Sequence, residues 1–570
     1  MSDLELSTDI ESYLWLVIVG GLFGFFAAMG IGANDVANSF STSVGSGALS
    51  VRNAVIIALF CEAGGAILMG AHVTDTIRKG IADYECFEDN PPILMFGAMS
   101  VLLTVGIWLF VASYYELPVS TTHTVVGGMI GMTIAIGGVD CVKWYEPSDS
   151  FPYVGGVSGI ILSWVISPIF SAILAMILFA ITRVAVLRHT DSFKRAIISF
   201  PIFVGITVIL NIFLLIYKGA AGIGLDQTEL WVALVSAFSC GIGIALIMIP
   251  FLKCIKKGIL ESIEKQHKRL EELEELEELE LQELELHQGD DSNIHIEEKY
   301  STDEETELAT GTIVETRDTT SCCVPLPKID CSKETCTNNK YCKALTKSIN
   351  YDVQTDIKKD VRVKEIHDNS EKFDSKTEES FKSLQVFTAI FDSFSHGAND
   401  VANSIGPFAA IYVIYINSGI ISEDSELGNA SYWILAIGGI GISVGLAVYG
   451  YKIIRTLGVK LCYITPSRGV SIELASAMTI IIGSRLGIPL STTHCQVGAT
   501  MGVAALEDIK KCSGMNCVVV GKTFLGWILT LLAAGCTSAL LVAYSVYAPC
   551  VGTVYINGTI NGTNSTTTSI

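Results

Sequence analysis

Eight stretches of the chain are dominated by apolar side chains and nearly free of charge: residues 14–31, 54–77, 93–113, 153–182, 201–217, 231–252, 432–450 and 521–547. A helix needs about 20 residues to cross a hydrocarbon core roughly 30 Å thick. Several of these runs reach that length, and the others approach it with modest local adjustment. One such run could be a core helix of a soluble protein. Eight in one chain predict a multi-pass membrane protein. No basic region precedes the first run, since Met1–Ser12 is acidic, so that run is expected to stay as a spanning segment rather than act as a cleaved signal.

Composition sharpens this picture in two places. Charged residues make up 17% of the 570, against about 25% in soluble chains. The formal net charge of −21 falls mostly in one polar insert, residues 253–383, and so says little about the membrane body. The insert opens with Lys253, Lys256 and Lys257, and a Leu-Glu run occupies residues 271–288. Its leucine spacing fits a heptad poorly, and a solvated, largely disordered acidic loop is the expectation. The insert cysteines Cys322, Cys323, Cys331, Cys336 and Cys342 lack the paired CxxC spacing of a zinc site.

Basic residues orient the chain. Arg183, Arg188, Lys194 and Arg195 flank one loop, and the lysines at 253–257 flank the insert. The positive-inside rule puts both on the cytoplasmic side, and two crossings between them keep the assignments consistent. Three glycosylation sequons, at Asn557, Asn561 and Asn564, agree with an external C-terminal tail. The expected divisions are an external N-terminus (1–13), a membrane half (14–252), the cytoplasmic loop (253–383), a second membrane half (384–548) and an external tail (549–570).

Two polar motifs recur in the same order. GANDVANSF at 32–40 returns as GANDVANSI at 397–405, and LPVSTTH at 117–123 returns as IPLSTTH at 488–494. Five crossings separate the repeat starts if residues 93–139 form a hairpin that enters and leaves on one side. An odd number inverts the second copy relative to the first, and transporters of that kind bind substrate where the repeats meet. The predicted fold is an all-α membrane protein: an inverted-repeat helical bundle with two re-entrant helical hairpins and a large cytoplasmic loop.

The motifs suggest their chemistry. In a helical reading, Asn34 and Asp35 share a face with Asn38, and Asn399 and Asp400 with Asn403. A carboxylate at mid-membrane costs about 2.5–3.5 kcal/mol, so two of them imply a compensating cation. Hard carboxylate and amide oxygens suit Na⁺. In the second motif, Pro118 and Pro489 end one helix and a serine caps the next. This puts Ser120, Thr121, Thr122, Ser491, Thr492 and Thr493 at helix N-termini, whose N–H groups and dipoles favour a tetrahedral oxyanion. His123 and His494 follow directly and are read as structural groups. Glu62 and Glu473 are further acids in apolar surroundings; Glu473 could lie near an interface, with Arg468 or Arg485 as its partner.

These motifs resemble the inorganic phosphate transporter (PiT) family, and among its members the eukaryotic sodium-dependent phosphate symporters. The likeness rests on GANDVANSF followed by VGSGALSVR, TIRKGI at 76–81, SWVISP at 163–168, FSHGANDVANSIGP at 394–407, and IELASA with IPLSTTHCQVG. It covers roughly 14–252 and 384–548 and omits the insert. The resemblance implies an inverted-repeat carrier with both termini outside, binding sodium and phosphate together where the repeats meet. Asp35, Asp400, Glu62 and Glu473 would then be the coupling acids, and the Ser-Thr-Thr tips would hold phosphate. Relatives often carry a carboxylate upstream of the first tip, where this chain reads Gly97-Ala98-Met99-Ser100; its loss leaves cation number and proton sensitivity open.

The expected function is alternating-access phosphate symport with sodium, in the lipid bilayer of the plasma membrane. Sodium is a transported ion, and no cofactor and no nucleic-acid partner are expected. Alternatives are proton-coupled phosphate carriage, sulfate carriage, and a phosphate sensor signalling through the loop. An enzyme is not expected, because no nucleotide loop, strong metal cluster or nucleophile–base pair is evident. A homodimer is left open.

Overall fold

The computed structural model describes residues 10–147, 153–217, 228–289, 360–421, 431–507 and 514–547. The insert cysteines, the three sequons, the tail at 549–570 and most of the 1–13 segment lie outside the described residues. The fold is helical, with a single two-residue β-pair at Glu146–Pro147 and Val154–Gly155 among the described residues.

The first repeat comprises α1 (Leu14–Asn34), α2 (Val36–Gly45), α3 (Val51–Met69), α4 (Ala71–Lys79), α5 (Pro91–Tyr114), α6 (Thr121–Gly137) and α7 (Gly156–Thr182). Between the repeats lie α8 (Ser192–Ile216), α9 (Leu230–Gly289) and α10 (Val361–Asn369). The second repeat comprises α11 (Ser375–Ile416), α12 (Ser431–Tyr449), α13 (Tyr451–Arg455), α14 (Pro466–Arg485), α15 (Thr492–Ala505) and α16 (Cys517–Tyr547). Eight helices among the described residues are long and apolar enough to span a bilayer, and each overlaps one of the eight runs read from the sequence, although the 54–77 run breaks at Gly70 between α3 and α4.

The repeats exchange partners. α1 packs on α12 and α11 on α3; α16 packs on α6 and α15 on α7. Small residues make this possible, as between helices in lipid generally. A Cβ on Gly131 of α6 would lie 2.0 Å from the Gly535 carbonyl oxygen of α16, and one on Gly498 of α15 would lie 2.4 Å from the Pro168 carbonyl oxygen of α7. Neither half can therefore complete its core without the other.

The insert departs from expectation at both ends. Residues 253–289 continue α9 as helix, because Leu, Glu, Gln and Lys lose little rotamer freedom in a helix. At the other end α11 starts at Ser375, capped by Asp374, and buries Thr377, Ser380 and Phe381, so the helix carrying the second GANDVAN copy begins before residue 384. Arg468 also departs from expectation: it pairs with Glu507 at 2.5 Å rather than with Glu473.

Glu371 fixes the α10–α11 link to the turn after α7. It accepts from Arg188 through both oxygens, at 2.8 and 2.9 Å, and lies 3.1 Å from Arg183 Nε. The Arg188 hydrogen bonds hold the Glu371 carboxyl below the usual carboxylate range, outweighing partial burial, and Arg183 adds to them. A depressed folded value stabilises above the unfolded value, about 4.3, and that stabilisation is lost as pH falls through the folded value. Residues 361–374 are accordingly expected to stay docked at neutral pH and loosen in acid. Glu371→Gln should loosen them already at neutral pH. Hydrogen exchange, corrected for intrinsic rates, checks this; equal protection of variant and wild type at both pH values would refute it.

Cys86 and Cys141 form a disulfide across 55 residues, a pairing the sequence reading did not anticipate. It joins the α4–α5 connection to the end of α6, beside the start of α7. The far end of α7 meets Glu371 of the insert, so the disulfide belongs to the opposite face, consistent with an oxidising exterior. Closing a loop of this length is worth about 4 kcal/mol in the chain-entropy account. Cys86→Ser should lower the melting temperature measurably. A membrane-impermeant maleimide applied from outside should label Cys141 in that variant, and labelling only from the cytoplasmic side would reverse the orientation.

Candidate functional site

The two Ser-Thr-Thr tips are built alike. Pro118 and Pro489 sit in the turns that follow α5 and α14. Ser120 and Ser491 then take extended backbone angles and cap the next helices, their hydroxyls accepting from His123 N (3.2 Å) and His494 N (3.3 Å). The turns interlock. Thr122 Oγ1 donates to the Leu490 carbonyl at 2.9 Å, and Thr493 Oγ1 lies 3.1 Å from the Val119 carbonyl. Both tips are fully buried; of the first-turn N–H groups, which have no intrahelical partner, those of His123 and His494 go to the capping serines and that of Thr121 goes to Asp35.

The GANDVAN segments close around these tips crosswise. Asp35 accepts from Thr121 Oγ1 (2.6 Å), Thr121 N (3.3 Å) and Asn38 (3.0 Å), and from Thr493 of the other repeat. Asn38 donates to Thr493 at 3.1 Å. Asp400 accepts from Thr492 Oγ1 at 2.7 Å and Asn399 at 2.7 Å. Asn403 crosses back to Thr121 and Thr122 at 3.0 and 3.3 Å. Each repeat therefore contributes acids, amides and hydroxyls to both tips.

The helical-face reading of the motif needs correcting. α1 stops at Asn34 and α2 starts at Val36, so Asp35 lies at a break, whereas α11 runs unbroken through Asp400. Asn34 turns away from Asp35 and Asn38 to brace the α5–α6 turn. It donates to Ser113 and the Leu117 carbonyl (3.1 and 3.0 Å) and accepts from Val119 N (3.0 Å). Asn399 likewise reaches the Leu490 carbonyl at 2.9 Å and accepts from Ser484 at 3.3 Å. These two asparagines hold the turns in place.

The outlying acids have their own shells. Glu62 accepts from Ser393 at 2.7 Å and meets His396 Nδ1 at 2.8 Å, while His396 Nε2 lies 3.0 Å from Asp400. Glu473 is fully buried rather than interfacial. It accepts from Thr42 (2.5 Å), Ser43 (2.6 Å), Thr388 (2.5 Å) and Gln385 (3.3 Å). The sequence reading missed His396, Ser393, Thr42, Ser43, Gln385 and Thr388. Of these, His396 carried a signal, being an imidazole directly ahead of the second GANDVAN copy, in FSHGAND. Ligand atoms of Asp35, His396 and Asp400 all lie within 4.8 Å of one another, a spacing one cation could bridge.

His123 and His494 form a matched pair behind the tips. Their rings are 4.7 Å apart. His123 packs on Trp164 (3.7 Å) and its Nδ1 meets the Trp527 carbonyl; His494 packs on Trp527 (3.6 Å) and its Nδ1 meets the Trp164 carbonyl. Each histidine thus ties its own tip to α7 and α16 together, which supports the structural reading.

Comparison with known proteins agrees with this architecture. Residues 31–538 match the phosphate transporter family. The sodium-dependent phosphate transporter 1 of Mus musculus is 30% identical, over 94% of this chain and 96% of its own. The phosphate-repressible phosphate permease of Neurospora crassa is 32% identical, over 95% and 99%. A solved structure described as the sodium-dependent phosphate transporter superposes with a TM-score of 0.63 at 28% identity, over 93% of this chain and 99% of its own.

Proposed function

The chain belongs to the phosphate transporter family, and from that premise we propose that it is a secondary symporter carrying inorganic phosphate across the membrane with Na⁺. The observation that carries the reading is the buried crossing of two Asp-Asn pairs with two helix tips from opposite repeats. Phosphate and the carboxylates of Asp35 and Asp400 draw on the same hydroxyls, those of Thr121, Thr492 and Thr493. Two anions cannot share those donors at close range in a low-dielectric interior without a cation between them. Sodium bound by Asp35, Asn38, Asp400 and Asn403 supplies that charge and leaves the tips to the oxyanion.

In this reading Thr121, Thr122, Thr492, Thr493 and the first-turn N–H groups hold phosphate, and Ser120 and Ser491 shape the tips as caps. Glu62 and Glu473 are coupling acids away from the centre. Occupancy by both solutes neutralises the core and lets the repeats rock, whereas partial occupancy leaves buried charge that resists movement. Each net charge moved inward gains about 2.3 kcal/mol per 100 mV. The Cys86–Cys141 bridge and the external sequons fit a plasma-membrane setting.

Proteoliposomes holding the purified chain decide the coupling. Radiolabelled phosphate should accumulate under an inward sodium gradient, and unlabelled sulfate should not compete. Uptake that follows a proton gradient and ignores sodium would overturn the sodium assignment; strong competition by sulfate would overturn the phosphate assignment.

A further inference from the structure

Asp392 is a buried carboxylate that the proposed coupling does not use. It is 1% exposed on α11, and its Oδ1 has no hydrogen-bond partner among the described residues. Ser476 of α14 faces it, and the Ser476 hydroxyl likewise has no partner among the described residues. An ionised carboxylate in such a place is costly unless it is paired. The charged groups that face it are Glu473, His396 and Glu62, two of them acids.

Its position in the helix gives it a role. Gln385, Thr388, Asp392, His396 and Asp400 follow one another at steps of three or four residues, so they form a single stripe along α11. All are at most 1% exposed. Gln385 and Thr388 bond Glu473, at 3.3 and 2.5 Å, while His396 and Asp400 belong to the central cluster. Each four-residue step rises about 6 Å. Asp392 therefore stands one turn from the Glu473 shell and two turns from Asp400. On α14, Ser476 is spaced three residues from Glu473, on the same face.

We propose that Asp392, with Ser476, is an additional cation ligand of the transport path, lying between the Glu473 shell and the Asp35–Asp400 centre. The inference rests on sodium-coupled transport as proposed above. The Asp392 carboxylate, whose Oδ1 accepts no hydrogen bond among the described residues, and the neighbouring Ser476 hydroxyl offer hard oxygen ligands suited to Na⁺, and a bound cation would offset the acids on either side. A sodium ion moving between the Glu473 shell and the centre then meets a ligand at each helical turn rather than a gap of two turns.

The test uses full-length protein in proteoliposomes, with radiolabelled sodium and phosphate counted together. Asp392→Asn should raise the sodium concentration for half-maximal uptake about tenfold or more or lower the sodium-to-phosphate flux ratio, and leave the phosphate KM at saturating sodium unchanged. Ser476→Ala should shift the sodium dependence in the same direction by less, and Asp392→Glu should partly restore it. Unchanged sodium dependence and flux ratio in a transporting Asp392→Asn protein would overturn the proposal. So would a displaced pH profile with an unaltered sodium curve, which would mark a proton site. Should Asp392→Asn fail to fold, the Ser476→Ala and Asp392→Glu curves decide alone. Wild-type uptake indifferent to sodium would instead remove the premise of sodium coupling, an outcome visible before any variant is made.

Discussion

Asp35→Asn should abolish most sodium-driven phosphate uptake while leaving the protein folded and at the surface. The amide keeps the side chain's volume and removes its charge. It also places an NH₂ group where one carboxylate oxygen now accepts from Thr121 or Thr493, so a donor would face a donor. A hydrogen bond to a charged group is worth about 1.5–3 kcal/mol. At the upper end, loss of one such contact alone corresponds to roughly a 150-fold fall in uptake, to which loss of the charge that holds the cation adds. Asp400→Asn should fall by a similar factor, because Asp400 faces Thr492 and His396 in the matching place. The double variant should be little worse than either single one, since one shared cluster is already broken. Initial uptake normalised to surface abundance is the measurement. Either single variant working at more than half the wild-type rate would remove the carboxylates from the coupling mechanism.

The same pair of residues marks how far the sequence could be read. The duplicated motifs located the centre, because an Asp-Asn pair and a capped proline turn have few uses inside an apolar chain. The eight apolar runs located the helices long and apolar enough to span a bilayer. They could not locate α11 or α14, whose polar stripes around Asp400 and Glu473 lower their mean hydropathy although both helices are buried. Local spacing also failed where the backbone breaks. Asn34 and Asn399 occupy equivalent motif positions, yet the first sits at the end of α1 and the second within an unbroken helix, so identical letters carry different geometry. The shells of Glu62 and Glu473 were illegible for another reason. Their partners lie more than 300 residues away for His396 and more than 400 for Thr42, brought close by the exchange of helices between repeats. No periodicity along the chain encodes such a meeting. Cys86 and Cys141 were hidden in the same way, being separated by two helices that return to one face.

Arg468→Met should be the most destabilising single change outside the central cluster. The guanidinium is 1% exposed and joins four parts of the fold. It pairs with Glu507 just beyond α15 at 2.5 Å, donates to the Glu371 carbonyl before α11 at 2.8 Å, and reaches Thr465 at 3.3 Å. Its face lies over Phe179 of α7, Phe373 and Tyr463, with centroids 5.5, 5.2 and 5.3 Å away. Removing one partner of a buried pair leaves the other charge uncompensated, at a cost of about 3–5 kcal/mol. Methionine retains much of the stem packing, so a loss of that size would report the stranded Glu507 carboxylate rather than a cavity. Arg468→Met with Glu507→Gln should therefore recover part of the stability that the first change removes. Arg468→Lys should fall between, because an ammonium keeps the charge and loses the planar fork. Thermal melting of the purified variants orders them, and a double variant no more stable than Arg468→Met would place the cost in the aromatic packing instead. The functional consequence follows from position. Arg468 secures the first turn of α14, and α14 holds Glu473, so partially destabilised variants should lose sodium affinity before they lose phosphate affinity.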